Sequence, residues 1–230
     1  NGLKRKKKFI QTDPYEIFDK KRKEMLKDLE NQTGIEPKVK NDTCLNMEKY
    51  SIPSIDISIF SPPYANCFDP FEVYKIELWV GEFVTSYEQL RHKRKTAITS
   101  NLNANVTKNV SEQHKTELLD NILNYLSGKE LWDKKIVKML NVYFNDMLLV
   151  LQKIYKNTQK GGYCVIVVGN SAYGNLAIPT DLILGQMGQK VGFDICEIIV
   201  ARNNETSSQQ HSKLLEYTEY LRESIIILKK

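Results

Sequence analysis

A long amphipathic helix that leads straight into a buried strand is the feature that most restricts how this chain can fold. From residue 133 onward, apolar side chains recur at the spacing of a helix that buries one face. They are Ile136, Met139, Leu140, Tyr143, Phe144, Met147, Leu148, Leu151 and Ile154. Gly161 and Gly162 interrupt the pattern, and the β-branched run YCVIVV (163–168) then predicts a buried strand. A helix joined to such a strand predicts an α/β fold.

Helix and strand patterns alternate along most of the remaining chain. Before the long helix they predict a strand at 7–12, a helix that starts at Asp13-Pro14 and ends at Gly34, a strand at 37–40, a helical turn at 45–50 and a strand at 55–60. After it they predict a helix behind Pro179 and strands at 194–202 and 223–230. The last two strands are joined without a helix, so we expect an antiparallel hairpin at the edge of a mostly parallel sheet.

Residues 71–126 differ from this alternation. They are polar, rich in Lys, Asn and Thr, and contain the basic cluster RHKRK (91–95). Helical signals are moderate and strand signals are few, so we interpret this part as an insertion.

Composition excludes several classes of protein. The net charge of +5 and the pI of about 8.8 are compatible with a polyanionic partner but do not require one. The four cysteines form no CxxC pair and no Cys/His cluster, so neither a disulfide framework nor a metal site is predicted. No apolar run approaches the roughly 18 residues of a membrane helix, so no membrane span is expected.

The strand IDISIF (55–60) runs directly into Ser61-Pro62-Pro63-Tyr64. Ligands of open α/β sheets bind beyond the carboxyl ends of the strands, where this turn and also Asp42 and Gly169-Asn170-Ser171 are expected. The prolines lack N–H groups and fix φ, so the turn presents rigid carbonyl acceptors, while Ser61 adds a hydroxyl and Tyr64 a flat ring. These groups suit an aromatic ring with an exocyclic NH2. The alternative is a turn that merely ends a strand beside a core tyrosine.

Ser-Pro-Pro-Tyr resembles the catalytic motif of S-adenosylmethionine-dependent amino-methyltransferases, in which Asp, Asn or Ser precedes Pro-Pro and an aromatic residue. NDTCLNMEKY (41–50) and IDISIFSPPYANCFDPFEVYKIELWVGEF (55–83) resemble DNA N4-cytosine and N6-adenine methyltransferases around this motif. Residues 161–202, 207–210 and 221–230 resemble the later part of the same fold. The resemblance implies a Rossmann-like catalytic domain formed by 1–76 and 133–230, without a recognisable first strand, and a DNA-contacting insertion at 77–132.

The resemblance also implies a role for each residue of the turn. The target base is flipped out of the duplex, Tyr64 stacks on it, and Ser61 and the Pro62 carbonyl accept hydrogen bonds from its amino group, with Pro63 completing the rigid turn. Methyl transfer is then direct and depends on positioning. Cys67 follows Asn66 rather than the proline of a C5-cytosine nucleophile, so we assign it no catalytic role.

S-adenosylmethionine is the cofactor that the resemblance implies, with Asp42 at its adenine, Asp13 at its ribose and Ser61 beside it. For both aspartates the alternative is to cap the helix that follows. The family's glycine-rich loop, which holds the methionine end of the cofactor, is absent from this sequence. We therefore expect an upstream segment or a second chain to supply that loop.

Two polar segments are candidates for contact with DNA. The first is the basic cluster Arg91, His92, Lys93, Arg94 and Lys95, followed by Asn101 and Asn103, whose residue types suit phosphate contacts. The second comprises Arg202 and the loop residues Ser207, Ser208, Gln209 and Gln210, because glutamine can contact base edges. A solvated charged helix face and a plain polar loop are the alternatives.

From these observations we expect an enzyme that methylates a base amino group in DNA, in a cytoplasmic, prokaryote-like setting. Serine in the motif favours cytosine N4, because the adenine enzymes of the family more often have Asp there. Three alternatives remain: adenine N6 methylation, a non-catalytic DNA-binding or specificity subunit, and, more remotely, methylation of RNA or of a protein glutamine.

Overall fold

The computed structural model describes residues 13–30, 34, 37–112, 115–203 and 219–230. The chain divides into two compact units, residues 1–41 and residues 42–230. The second unit includes the expected insertion at 77–132 without a boundary on either side of it. None of the helices within the described ranges is long and apolar enough to cross a lipid bilayer.

The first unit contains helix α1 (Pro14–Glu30). Asp13 caps it, since its Oδ1 accepts a hydrogen bond from the Tyr15 amide at 2.9 Å, and Pro14 occupies the first helical position as expected. The predicted strand at 37–40 is wrong, because these residues have no regular structure. Val39 is its one apolar side chain apart from the proline and is 83% exposed, so the segment has nothing to bury. The predicted strand at 7–12 lies outside the described residues.

The second unit alternates helices with strands. Its elements in chain order are a 3₁₀ turn (Cys44–Lys49), β1 (Ile55–Phe60), α2 (Pro70–Val73), α3 (Lys75–Val80), α4 (Tyr87–Thr96), α5 (Glu117–Ser127), α6 (Ile136–Asn157), β2 (Thr158–Gly169), β3 (Ser171–Tyr173), β4 (Leu176–Ile178), α7 (Thr180–Val191), β5 (Asp194–Asn203) and β6 (Arg222–Lys229).

The main sheet within the described residues has the strand order β1-β2-β6-β5. β1 is parallel to β2, and β6 is antiparallel to both β2 and β5. Three of the four strands therefore point the same way, with β6 between two of them. This arrangement confirms the expected α/β class, a mainly parallel sheet with an antiparallel C-terminal hairpin.

The pair Gly161-Gly162, which the sequence suggested as the end of the long helix, lies instead within β2, because the helix already ends at Asn157. The Gly161 amide donates to the Lys230 carbonyl at 2.6 Å, and the Lys230 amide donates to the Gly162 carbonyl at 2.9 Å. These bonds pair the two glycines with Lys230 just after β6, while Thr158 at the start of β2 pairs with Ile55 of β1. Gly161 has a φ of +83°, a left-handed conformation that only glycine adopts freely, so the pair forms an irregularity within the strand.

A second, two-stranded sheet of β3 and β4 was not predicted. Its connecting residues Gly174 and Asn175 have φ values of +55° and +62°, as in the two-residue turns that match strand twist. Strands of three residues are too short to show an apolar period, although the Gly-Asn dipeptide is a hairpin signal.

Helices α6 and α7 cover one face of the main sheet. Cys164, Ile166 and Val168 of β2 are buried against them. The opposite face is less covered by the described residues: Ile57 and Ile59 of β1 are 52% and 68% exposed.

Glycines allow the close approach of α7 to the sheet. A Cβ added at Gly188 would lie 2.6 Å from a methyl of Leu228, and one at Gly185 would lie 3.3 Å from Ile195. Larger side chains at Gly185 and Gly188 would therefore hold α7 further from β5 and β6.

Tyr143 of α6 supports a first prediction about stability. The residue is fully buried and, within the described ranges, its hydroxyl has no hydrogen-bond partner. An unsatisfied buried hydroxyl destabilises the folded state, so Tyr143→Phe is expected to raise the free energy of unfolding by about 1 kcal/mol in urea titrations. The matched control is Tyr173→Phe, because the Tyr173 hydroxyl donates to the Ala65 carbonyl at 2.9 Å. Loss of this hydrogen bond is expected to lower the free energy of unfolding by about 1 kcal/mol. Destabilisation by Tyr143→Phe would contradict the prediction.

Candidate active site

The carboxyl ends of β1, β2 and β5 lie at one edge of the sheet, together with the amino end of β6, because of the strand directions. The turn Ser61–Tyr64 follows β1, Asn170 follows β2, Arg202 is near the end of β5 and Glu223 is near the start of β6. The fold therefore brings the predicted turn and Arg202 to the same edge.

The Ser61–Tyr64 turn presents both exposed and buried groups. Ser61 is exposed, Pro62 is buried, and Pro63 and Tyr64 are half-buried. No described residue donates a hydrogen bond to the Pro62 carbonyl. The strand ends at Phe60 because neither proline can donate to a sheet ladder. An acceptor held rigidly at the sheet edge is thus available to a ligand.

Tyr64 is tied to the far side of β2 by its hydroxyl. The hydroxyl donates to Oε2 of Glu223 at 2.7 Å, and the Arg202 guanidinium donates to the same oxygen at 3.1 Å. Partial burial raises the pKa of the Tyr64 phenol, and the hydrogen bond to Glu223 raises it further. The pKa of Glu223 is lowered chiefly by the Tyr64 hydrogen bond and then by Arg202. The charged Glu223 carboxylate is therefore the acceptor, and the neutral Tyr64 phenol is the donor, of this hydrogen bond.

The segment after Tyr64 is held from two other parts of the fold. Tyr173 of β3 donates to the Ala65 carbonyl, and the Cys67 amide donates to the Ser100 carbonyl at 3.2 Å. Burial raises the pKa of the Cys67 thiol, which disfavours the reactive thiolate. The hydrogen bonds to Ala65 and from Cys67 thus hold the turn from its C-terminal side.

An apolar groove of about 510 Å³ lies along β1 and reaches the turn. Its lining is Cys44, Met47, Ile55, Ile57, Ser58, Ile59, Phe60, Ser61, Pro62, Pro63, Ile98, Val150 and Ile154. The lining contains hydroxyls and apolar groups but, among the described residues, no carboxylate and no cation. The apolar side chains suit the adenine and thioether portions of S-adenosylmethionine, and the Ser61 hydroxyl can hydrogen-bond a ribose, whereas the charged amino-acid end of the cofactor finds no group of opposite charge in this lining.

The two predicted cofactor carboxylates both accept hydrogen bonds from nearby groups of the protein, but of the two only Asp13 caps a helix, since Thr43 is the N-cap of the 3₁₀ turn. Asp42 accepts hydrogen bonds from the Thr43 amide at 2.7 Å, the Asn46 side chain at 2.8 Å and the Tyr50 hydroxyl at 2.8 Å. The Asn46 bond is the main cause of its lowered pKa. Asp13 caps α1. Since 37–40 is not a strand, Asp42 does not follow one. Capping, the alternative named for both, holds for Asp13 and not for Asp42, and the cofactor contacts of both remain predictions.

The basic cluster lies on helix α4, where its members differ in environment. Arg91 and Lys95 are exposed. Arg94 instead forms ion pairs with Asp69 at 2.9 Å and Glu72 at 2.6 Å, and its side chain is 13% exposed. The pair with Asp69 anchors α4 beside the segment that follows the turn. Exposed Arg91 and Lys95 suit phosphate contact better than Arg94, and Lys93 is half-buried.

Several other polar candidates have structural roles. The Asn170 side chain exchanges hydrogen bonds with the backbone and carboxylate of Asp181 at 3.0 and 2.9 Å. Asn101 is buried and accepts from the amides of Asn103 and Ala104. Asn103 donates to Asp69 at 3.1 Å. The predicted DNA-contacting residues Ser208, Gln209 and Gln210 lie outside the described residues.

Glu223 is a site residue that the sequence analysis missed. Its partner Tyr64 is 159 positions away, so no local pattern joins them. A signal did exist, because Glu223 opens an apolar strand predicted to run antiparallel. The amino end of such a strand lies at the same edge as the carboxyl ends of its neighbours.

Sequence comparison relates the chain to bacterial proteins of known class. Type II methyltransferases named M.AvaI, from Nostoc sp. (strain PCC 7120) and Anabaena variabilis, are each 30% identical over 182 residues, which is 74% of this chain and 37% of the relative. The type II methyltransferase M.BsoBI from Geobacillus stearothermophilus is 24% identical over 213 residues, 82% of this chain and 41% of the relative. The chain thus spans about two fifths of the length of these curated relatives. No family model matches it.

Solved structures show a more distant likeness. A protein of Thermus thermophilus named as a DNA modification methylase matches 82% of this chain and 50% of its own, with a TM-score of 0.35 and 13% identity. Its complex with S-adenosyl-L-methionine matches 53% and 51%, with a TM-score of 0.31 and 16% identity. Both TM-scores are below 0.5, so the fold described above rests on its own strand order and directions.

Proposed function

We propose, from the premise that this chain is homologous to the type II methyltransferases, that it forms the larger part of a catalytic domain that methylates DNA at a specific site. The proposed target is the exocyclic amino group of a flipped base, and the proposed methyl donor is S-adenosylmethionine. The observation that carries the proposal is the rigid Pro62 carbonyl, without a donor among the described residues, beside the Tyr64 ring at the sheet edge.

The turn acts on the amino group by orienting it. The Pro62 carbonyl and the Ser61 hydroxyl accept its two N–H groups, which turns the nitrogen lone pair out of conjugation with the ring. S-adenosylmethionine supplies an electrophilic methyl group when it is bound. The nitrogen would form the new N–C bond as the bond between the methyl carbon and the sulfonium sulfur breaks, which would leave the cofactor as a neutral thioether, and the proton released from the nitrogen would pass to the solvent beside the exposed Ser61. Rigid acceptors favour this step because they need no reorganisation during the reaction.

Tyr64 holds the flipped base by stacking. Extrusion costs a few kcal/mol of unstacking and unpairing, and stacking on an aromatic side chain returns about 1–3 kcal/mol per base. Arg91 and Lys95 of α4 are proposed to bind the phosphates of the flanking duplex, since both are exposed on a helix that the ion pair of Arg94 with Asp69 anchors beside the segment after the turn. Lys93, Arg202 and the loop residues 208–210 remain candidates for further DNA contacts.

A further polypeptide segment is part of this proposal. The groove beside the turn has no charged group among its described lining residues for the amino-acid end of the cofactor, so an upstream segment or a second chain would bind it. The same observation supports a second candidate, a DNA-binding subunit that is inactive alone. Cytosine N4 is the favoured target because of Ser61, with adenine N6 as the alternative. The cytoplasmic location expected from the sequence remains a prediction.

Methyl transfer from tritiated S-adenosylmethionine to DNA of varied sequence tests the function. Tyr64→Ala is expected to lower transfer by at least about tenfold, which corresponds to the lost stacking, and Ser61→Ala is expected to lower it through the lost acceptor. Tyr125→Ala is the matched control, because Tyr125 is a half-exposed tyrosine of α5 outside the site. Mass analysis of digested product DNA then decides between N4-methylcytosine and N6-methyladenine. Full transfer by Tyr64→Ala would contradict the mechanism.

A further inference from the structure

We propose that Glu223 is the positioning residue for Tyr64: by accepting its hydroxyl hydrogen bond, Glu223 fixes the plane on which the target base stacks. This inference rests on the proposed function and extends it to a residue outside the Ser61–Tyr64 turn. An aromatic ring attached only at Cβ keeps torsional freedom about its χ angles. A hydrogen bond from the hydroxyl at the para position removes most of that freedom, so the plane of the ring keeps a single orientation.

The strand register explains why Glu223 can reach Tyr64. Glu223 of β6 pairs with Gly169 of β2 on one side and with Arg202 of β5 on the other. Register partners on neighbouring strands place their side chains on the same face of a sheet. The β2 residue opposite Glu223 is Gly169, which has no side chain to stand between Glu223 and Tyr64.

The charges and burial of Glu223 and Arg202 favour a stable hydrogen bond between Glu223 and the Tyr64 hydroxyl. Oε2 of Glu223 accepts from Tyr64 at 2.7 Å and from Arg202 at 3.1 Å. The Glu223 side chain is 14% exposed, whereas that of Arg202 is 69% exposed. The carboxylate is thus the inner member, shielded from water, and the guanidinium is the outer one. Arg202 holds Glu223 as an oriented anion and keeps further N–H groups for solvent or a DNA phosphate.

Variants at Tyr64 and Glu223 separate positioning from stacking. Tyr64→Phe keeps the ring and removes the tether, and Glu223→Ala removes the acceptor. Glu223→Gln keeps an amide oxygen that can accept the bond. Glu197→Ala, an exposed glutamate of β5, is the control. Each full-chain protein is assayed for kcat and KM with tritiated S-adenosylmethionine and DNA. Each is also titrated by NMR with tyrosine labelled at ¹³Cζ, where the signal missing from Tyr64→Phe identifies Tyr64.

Both measurements have a defined expected result. Glu223→Ala and Tyr64→Phe are each expected to lower kcat about tenfold, within the range for misplaced reacting groups, and the double variant to lower it no further. Glu223→Gln recovers most of the kcat, and Glu197→Ala leaves it unchanged. In the titration, the pKa of Tyr64 falls towards its ordinary value in Glu223→Ala.

Three results would overturn the inference: an unchanged Tyr64 pKa in Glu223→Ala, a full kcat in that variant, or additive losses in the double variant. A wild-type chain without methyl transfer would instead count against the proposed function. The Tyr64 titration, which needs no activity, then decides on the tether by itself.

Discussion

Replacing Asp181 with alanine is expected to lower the free energy of unfolding by about 3–5 kcal/mol, the usual cost of leaving a buried charge without its partner. Asp181 is fully buried near the start of α7. Its Oδ2 accepts from Arg222 at 2.9 Å and Ser224 at 2.7 Å, and its Oδ1 accepts from Asn170 at 2.9 Å. Alanine leaves all three groups without this acceptor. Urea unfolding followed by circular dichroism measures the loss.

Two further variants make this result specific. Asp194→Ala, an exposed aspartate at the start of β5, is expected to change the free energy of unfolding by at most about 0.5 kcal/mol. Asp181→Asn keeps the shape and one acceptor oxygen, so its loss should lie between the two. A loss below about 1 kcal/mol for Asp181→Ala would show that the network contributes little. Because Arg222 precedes Glu223, an Asp181 variant that folds is also expected to disturb the Tyr64 tether.

Asp146→Ala is expected to destabilise the protein by about 3 kcal/mol, again because a buried acceptor for a cation is lost. Asp146 of α6 is 2% exposed. Its Oδ2 accepts from Lys108 at 2.6 Å and from the Thr99 amide at 3.0 Å. These bonds fasten the segment 97–108 to α6, and the Ser100 carbonyl of that segment supports Cys67 behind the turn. Equilibrium unfolding in urea gives the loss in stability.

A double variant tests whether the charge of this pair is needed. In Asp146→Leu/Lys108→Met both ionic groups are replaced by apolar ones of similar size, which in other proteins is often neutral. The double variant is therefore expected to be more stable than Asp146→Ala. Lys138→Ala, an exposed position of the same helix, serves as the control and should have almost no effect. Equal losses in the single and double variants would mean that helix packing, rather than the unpaired cation, causes the damage.

Among the elements that could be predicted from the sequence, α6, β2 and β6 bury their apolar pattern, whereas β1 and β5 have no fully buried residue and are held by pairing with β2 and β6. All five have enough alternating or periodic residues to specify their type. The segment 37–40 failed because short extended patterns are common and only burial or pairing makes them strands. The hairpin of β3 and β4 was missed because its information lies in the turn dipeptide rather than in an apolar period.

Within the candidate site, the turn was predictable and its partners were not. Two prolines after an apolar strand constrain the backbone locally, so Ser61–Tyr64 could be placed at a sheet edge without coordinates. Glu223 meets Tyr64 only after β6 has paired with β2. Arg94 illustrates the opposite error: it belongs to a basic run, yet tertiary contacts pair it with Asp69 and Glu72. Charge along the sequence does not distinguish a cation available to DNA from one held in the fold.

The parallel pairing of β1 with β2 has a consequence for how the protein is made. Ile57 pairs with Tyr163, so during synthesis β1 leaves the ribosome about 100 residues before its partner, and loop closure must precede the pairing. An apolar strand that waits in this way is a template for unwanted pairing with other chains. Asp56 places a charge within the strand, and Pro62 and Pro63 remove the donors needed to extend a ladder beyond it. The residues proposed to orient a base are therefore also expected to limit aggregation of the nascent chain.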